Sequence, residues 1–287
     1  MYTMEDVKVL RERTGAGISD CSKALKLNDG DMEKAIDYLR EKGIATAAKK
    51  AGRIASEGIC YTEVKGNTAV MVEVNCESDF VSKGDLFRAF AADVAAYIFD
   101  NDVKEVEEVI AACETKTTEA IQKIGENIKI RRFVKYVSDE KVDSYIHMGG
   151  KIGVLVECKN GVSDDTIHDV ALQIAAAKPS YVKEDEVPAE IIENEKKILR
   201  AQIANDEKLA SKPEMVKEKM VEGKVKKYYD ENCVLNQAFI KDPSLTVAQL
   251  LAKENSTVIR FTRFEMGEGL EKKSNDFAAE VAAQMKK

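Results

Sequence analysis

The 287-residue sequence has no tryptophan, only two histidines and four prolines, and none of its six cysteines stands in a Cys-x-x-Cys pair. Each scarcity removes a class of protein. Without paired cysteines there is no ground for a zinc ribbon or a thioredoxin-type centre. Thiols spread over positions 21, 60, 76, 113, 158 and 233 of a long chain read as reduced. Two histidines and no recognisable catalytic box offer little from which to assemble a convergent set of acid, base and nucleophile. No apolar run reaches 18 residues, so no spanning helix is expected. The opening stretch MYTMEDVKVLRERTG has neither the apolar centre of a signal peptide nor the acid-poor, Ser-rich character of a transit peptide. The expected location is therefore cytoplasmic. A positive excess is missing too: 44 Lys and Arg face 51 Asp and Glu, a net charge of −7. That balance argues against a surface-wide grip on nucleic acid or an anionic membrane and leaves room only for a local basic patch.

What is present is a globular composition, 44% hydrophobic and 33% charged, on a length that suggests about two domains at roughly 150 residues each. Residues 1–53 read as three helices. Thr3 is the first N-cap, Met4, Val7 and Leu10 share a face, and Gly15 and Gly17 break the helix. Cys21, Ala24 and Leu25 mark a second helix, and Ala35, Ile36 and Leu39 a third that starts at Asp31 and is expected to stop at Gly43. So small a core is marginal without good packing or a partner surface. Lys42 to Arg53, with four cations and no acid, reads as a basic connector.

From Gly58 the period changes to two. GICYTEV, a Lys65-Gly66-Asn67 turn and TAVMVEVN predict a β-hairpin, followed by a helix over about 84–99 with Phe87, Phe90, Ala91, Val94 and Ile98 on one stripe. More helical sequence runs to about 126 and IKIRRFVKYV returns as a strand, so the domain is α+β. The second half repeats the plan: SYIHMGGKIGVLVECK is a hairpin and VSDDTIHDVALQIAAAKP the helix behind it. Val70 to Val74 resembles Val154 to Cys158, and Ala92 to Ala96 resembles His168 to Leu172. Glu73 lies 20 residues before Asp93 but Glu157 only 12 before Asp169, so the first half carries about eight extra residues around CESDFVSKGDL, where binding function is expected.

Residues 187–229 have a different texture. Pro188 opens a helix with Ile191, Ile198, Leu199, Ile203 and Leu209 at near-heptad spacing, Lys212-Pro213 breaks it, and Val216, Met220, Val221, Val225 and Tyr228 return antiparallel. This arm interrupts the second half, and reads equally as a self-association arm or a bracket. TVIRFTRFEMGEG resumes strand character, and 270–287 predict an amphipathic helix with Phe277, Val281 and Met285.

Little here reads as catalysis. His147 and Cys158 on one hairpin lack an orienting motif, so Cys158 reads as structural. Gly149-Gly150-Lys151 lacks the spacing of a phosphate loop, and Gly267-Glu268-Gly269 lacks the third glycine of a dinucleotide loop; both read as tight turns. The segment Ser78-Asp79-Phe80-Val81 is different, because an aromatic follows directly on a strand end. Phe80 is either a plug beneath its own loop or an anchor for a partner's pocket. Lys23, Lys49 and Lys50 would meet an acidic partner helix with modest energies.

These residues carry a resemblance along essentially the whole chain. LRERTGAGISDCSKAL, AAKKAGRIASEG, EVNCESDFV, KIGENIKIRR, SYIHMGGKIGVLVE, AAAKP, KMVEGKVKK, RFEMGEGLEK and DFAAEVAAQ, in that order, resemble the bacterial elongation factor Ts family. The resemblance implies a non-enzymatic guanine-nucleotide exchange factor, without a cofactor, that binds elongation factor Tu carrying GDP and speeds GDP release. It implies an α+β architecture: a three-helix domain like ubiquitin-associated domains (with its linker, 1–53), a core of two related α/β subdomains (54–140, and 141–186 with 230–265), an inserted coiled-coil hairpin (187–229) and a C-terminal module (266–287). Ser78, Asp79, Phe80 and Val81 match the motif that displaces Mg²⁺ from the partner, serine standing where threonine is common. Ile124, Gly125 and His147 match partner-contacting positions, as do Lys23, Lys50, Ile240 and Lys241. A protein-binding adaptor, or a homodimer joined through the arm without exchange activity, is the competing reading.

Overall fold

The computed structural model describes residues 2–271. The three N-terminal helices are α1 (Met4–Thr14), α2 (Ile18–Leu27) and α3 (Met32–Lys50). Thr3 and Asp6 form a reciprocal capping box, which satisfies two amides that have no partner within the helix. Val7, Leu10, Cys21, Ala24, Leu25, Ala35 and Leu39 close one small core. Met4, expected on the inner face, is 67% exposed, while Tyr2 packs against this core with its hydroxyl 3.0 Å from Ser22 Oγ.

Gly43 does not stop α3. The helix runs on through the expected basic connector to Lys50, and Gly43 is buried where α3 crosses a later helix, α7 (Glu114–Ile124). A Cβ at this position would meet Gln122 Oε1 at 3.0 Å and Thr118 Cγ2 at 3.4 Å. A mid-helix glycine costs about 1 kcal/mol against alanine, and the close crossing it permits lets Ala47 pack on the next core. The four-cation stretch is thus a helix end docked on the rest of the molecule.

The centre holds two three-stranded antiparallel sheets. In the first, β1 (Glu57–Lys65) and β2 (Thr68–Cys76) form a hairpin and β3 (Lys129–Val137) pairs with β2. In the second, β4 (Lys141–His147) and β5 (Ile152–Cys158) form the hairpin and β8 (Val258–Glu265) pairs with β5. Strand alternation sends Val70, Val72, Val74 and Cys76 outward against α5 (Asp85–Asp100), with Phe87, Phe90, Val94 and Ile98 facing them and Val109 of α6 (Val106–Ala112) in the same cluster. Val154, Val156 and Cys158 pack in the same way on α8 (Asp164–Ala177). The other faces meet each other through Ala69, Met71, Tyr136, Leu155 and Phe264. The order of layers is helix, sheet, sheet, helix.

The repeat extends into this inner layer. Both central strands have a register shift after their glutamate, between Glu73 and Val74 and between Glu157 and Cys158. Glu73 sits opposite Arg132, and Glu157 opposite Arg260. Each arginine stacks, 4.1 Å from the ring centroid, on an aromatic of the other sheet: Arg132 on Phe264 and Arg260 on Tyr136. Gly153 stands where the sheets approach closely, since its missing Cβ would lie 2.8 Å from Cys60 Cβ and 2.6 Å from the Met71 sulfur.

Between α8 and β8 the chain leaves the core as α9 (Ala189–Asn205), the one-turn α10 (Glu207–Ala210) and α11 (Glu214–Asn232). Ile192, Ile203, Val221 and Val225 form the seam. Ile198 is 43% exposed and takes no place in it, because the helix pair closes on Ile192, Leu199 and Ile203. Pro188 is the N-cap residue of α9. Two short strands, β6 (Ala238–Phe239) and β7 (Asp242–Thr246), and α12 (Val247–Ala252) follow, which the sequence pattern did not separate from loop. The expected helix carrying Phe277, Val281 and Met285 lies outside the described residues. Among the described residues no helix is long and apolar enough to cross a membrane.

Candidate functional site: an exposed phenylalanine on a clamped turn

Directly after β2 the chain makes one helical turn, α4 (Asp79–Ser82), before α5 begins. Ser78 caps it, its Oγ accepting from the Val81 amide at 3.3 Å. The Glu126 carboxylate closes on the same cap from behind: Oε2 accepts from the amides of Glu77 and Ser78, both at 3.0 Å, and Oε1 from the Ser78 hydroxyl at 2.6 Å. Ser82 is buried and Val81 packs on the core beneath. With these residues turned inward, Phe80 points out.

The Phe80 ring is 84% exposed. That overturns the plug reading: Val81 and Phe87, not Phe80, pack in the core beneath the turn. Phe80 stands beside an open groove whose walls include Val81, Leu86, Lys123 and Ile124. Leu86 is itself 63% exposed. An exposed Phe and Leu over a partly buried Ile form an apolar patch, which is informative where an isolated exposed side chain is not. Asp79 pairs with Lys83 at 2.8 Å, and that ammonium holds the Asp79 carboxyl below the usual aspartate range.

Ile124 is the last residue of α7, and Gly125 ends the helix in the left-handed region, at φ 87°, where any Cβ is strained. The Lys50 ammonium donates to the Gly125 carbonyl. Lys50, Ile124, Gly125 and the Ser78–Val81 turn therefore converge, and Lys50 has an internal partner.

His147 is exposed at the end of β4, with its Nδ1 3.2 Å from the Tyr145 hydroxyl and the two rings stacked. The loop after it carries Met148, 71% exposed, and is pinned to α5 by Arg88, whose guanidinium donates to the Gly149 carbonyl at 3.0 Å. Hence the His147 loop abuts the helix that follows the Phe80 turn. His147 and Cys158 lie at opposite ends of one hairpin, paired with Ile152 and Lys141 respectively. Cys158 is buried, and desolvation pushes its thiol up to about 12, so the two form no nucleophile pair.

The remaining candidates lie elsewhere. Lys23 is exposed on α2. Ile240, half-exposed, and Lys241 follow β6, where Lys241 pairs with Asp169 of α8 at 2.5 Å. That is the outer helix layer of the second sheet, the far side of the sandwich from α5. Glu126, Leu86 and Met148 were not singled out from the sequence. Glu126 stood in plain view within the KIGEN segment, but its partners lie up to 49 residues away.

A family model for elongation factor Ts matches residues 77–268. The chain is also 44% identical over 299 aligned residues to the elongation factor Ts of Halothermothrix orenii (strain H 168 / OCM 544 / DSM 9562), with 99% of each chain covered. The chain belongs to the elongation factor Ts family. The match opens at Glu77, the residue whose amide starts the clamp, and ends at Glu268, just past β8. It thus spans the Phe80 turn, the first half from there onward, the second half and the α9–α11 arm, while β1 and β2 lie before it. The α+β character expected of an elongation factor Ts is observed here as two antiparallel sheets between helices.

Proposed function

We propose that this protein is a guanine-nucleotide exchange factor for elongation factor Tu in translation elongation. It binds the GDP-bound partner, displaces Mg²⁺, loosens the phosphate contacts and so lets GDP leave and GTP enter. No substrate bond is made or broken, and the protein is not an enzyme in the usual sense. The observation that carries this reading is Phe80, 84% exposed on a turn held rigid from behind. An aromatic ring presented without reorganisation cost is what an anchor for a partner's pocket requires. In this reading Phe80 wedges between two partner helices beside the Mg²⁺ site, with Ser78, Asp79 and Val81 shaping the wedge. Ile124, Gly125 and His147 flank it, and Lys23, Lys50, Ile240 and Lys241 make outlying contacts. The unit 1–53 acts as a ubiquitin-associated-like domain, 54–140 and 141–186 with 230–265 as core subdomains, 187–229 as a coiled-coil arm available for homodimerisation, and 266–287 as a C-terminal module.

Energetics favour a distributed contact. A thousandfold faster release needs about 4 kcal/mol, whereas burying one Phe side chain supplies roughly 1.5–3 kcal/mol. The factor must bind the nucleotide-poor partner better than the GDP-bound one, and linkage then requires GDP to weaken the factor's binding by the same ratio. The test is stopped-flow release of fluorescent GDP from elongation factor Tu, with wild type and Phe80→Ala. Strong acceleration that falls roughly ten- to a hundredfold in the folded variant, equivalent to about 1.4–2.8 kcal/mol, is expected. Binding without any change in release would replace exchange by the adaptor reading.

A further inference from the structure

Phe80 contributes nothing to holding its own turn, because its ring lies outside the core. The turn is held by Glu126, whose two oxygens accept from two backbone amides and the cap hydroxyl. Glu77 returns the brace, Oε1 accepting from the Asn127 amide at 2.7 Å, and the Asn127 side-chain amide donates to the Arg53 carbonyl at 2.8 Å. Residues 125–127 thus tie the end of α3 to the turn that carries Phe80.

The second half contains the same device. Ser163, the N-cap of α8, donates its amide to Glu254 at 2.6 Å and its hydroxyl to the same carboxylate at 3.1 Å. Glu254 precedes β8 as Glu126 precedes β3. There the cap opens directly into the long helix and presents no apolar side chain; two residues after the cap stands Asp165 in place of Phe80.

We propose that Glu126 is a positioning residue for nucleotide exchange: it fixes the Ser78 cap and thereby the direction in which Phe80 leaves the surface. The inference rests on the exchange reading above. Its chemistry is that of a carboxylate ordering a short turn by accepting from amides with no helical partner. Without it the ring samples other directions and must be ordered at the moment of docking. Glu254, an equivalent clamp with no ring to aim, is the internal control.

The experiment is GDP release from elongation factor Tu by stopped flow, with the thermal unfolding midpoint of each variant. Glu126→Ala is expected to slow exchange roughly tenfold, with an unfolding midpoint lowered about as much as that of Glu254→Ala, which loses an equivalent clamp. Glu126→Gln restores most of the rate, because its amide oxygen accepts from both backbone N–H groups while its nitrogen donates to Ser78. In the Phe80→Ala background Glu126→Ala slows exchange no further, and Glu254→Ala leaves the rate at wild type. A wild-type rate for Glu126→Ala, the same loss with and without Phe80, or an equal loss in Glu254→Ala overturns the proposal. A wild-type rate for Phe80→Ala would instead sink the wedge reading first, and the clamp's role with it. Should Glu126→Ala not fold, Ser78→Ala removes one arm of the clamp alone: a rate several-fold lower supports the proposal and an unchanged rate overturns it.

Discussion

The two halves of the core use one serine cap and one glutamate clamp for different ends. In the second half the clamp on Ser163 starts a 14-residue helix whose stripe is buried at once, from Thr166 and Ile167 onward. In the first half the clamp on Ser78 starts a four-residue turn that ends at Lys83, and α5 begins separately at Asp85. The extra length sits between cap and long helix, so it leaves the shared packing of sheet on helix undisturbed while placing one apolar side chain in solvent. A recognition element added at a capped turn needs no change in the core, because the cap already satisfies the amides that a new turn would orphan.

The comparison breaks most sharply at the two buried glutamates. Glu73 is completely buried and accepts from Arg131, Arg132 and the Gly267 amide, whereas Glu157 accepts from Arg260, itself half-exposed, and from Ser138. Glu73→Ala leaves an uncompensated cluster and is expected to cost about 3–5 kcal/mol. Glu157→Ala should cost about 1–2 kcal/mol, and equal losses by chemical denaturation would erase the distinction.

Next in size is the sheet–sheet contact. Gly153 occupies the place that Ala69 holds in the first half, against Cys60 and Met71. Gly153→Val is expected to destabilise by about 1–3 kcal/mol through overpacking, measured as a lowered unfolding midpoint.

Acid sharpens the same contrast. Burial alone would raise the Glu73 pKa, but the Gly267 amide and the two guanidinium groups outweigh it and hold the carboxyl below its ordinary value. A depressed folded-state pKa contributes stability that is present above the unfolded value, roughly 4.3. That stability is lost as pH falls from there through the lower folded value. Below about pH 5 the wild-type unfolding midpoint should fall more steeply than that of Glu73→Gln, and parallel profiles would remove Glu73 from the acid response.

The smallest stability effects belong to the Phe80 turn. Phe80→Ala and Lys83→Ala are each expected to shift stability by no more than about 0.5 kcal/mol, since the ring is exposed and the Asp79–Lys83 pair lies in solvent. A large loss in Phe80→Ala would return the ring to a structural role.

Much of the fold was legible because its signals are local. Thr3, Asp31 and the 3.6-residue stripe of α5 announce helices, and alternation over Thr68–Cys76 announces a strand. The internal repeat pointed to Glu73 and Glu157 as equivalents before their arginines were known. Gly43 misled because a helix-stop signal is only a local preference, which the crossing of α3 on α7 overrides. Ile198 misled because near-heptad spacing offers more apolar residues than the seam of α9 and α11 can take. At the site, Ser78, Phe80, Ile124 and Gly125 were named from their motifs, while Glu126 was passed over.

The sequence by itself determined the longer elements, the twofold repetition of the core and the insertion that distinguishes its first half, because periodicity, capping and spacing act over one or two turns of chain. Only the tertiary structure decided that Phe80 faces solvent, that Glu126 holds its turn from 48 residues away, and that Arg132 and Arg260 each stack across to the opposite sheet. The direction of a side chain and the partner of a carboxylate depend on which surfaces the whole chain has already filled, and no local pattern carries that information.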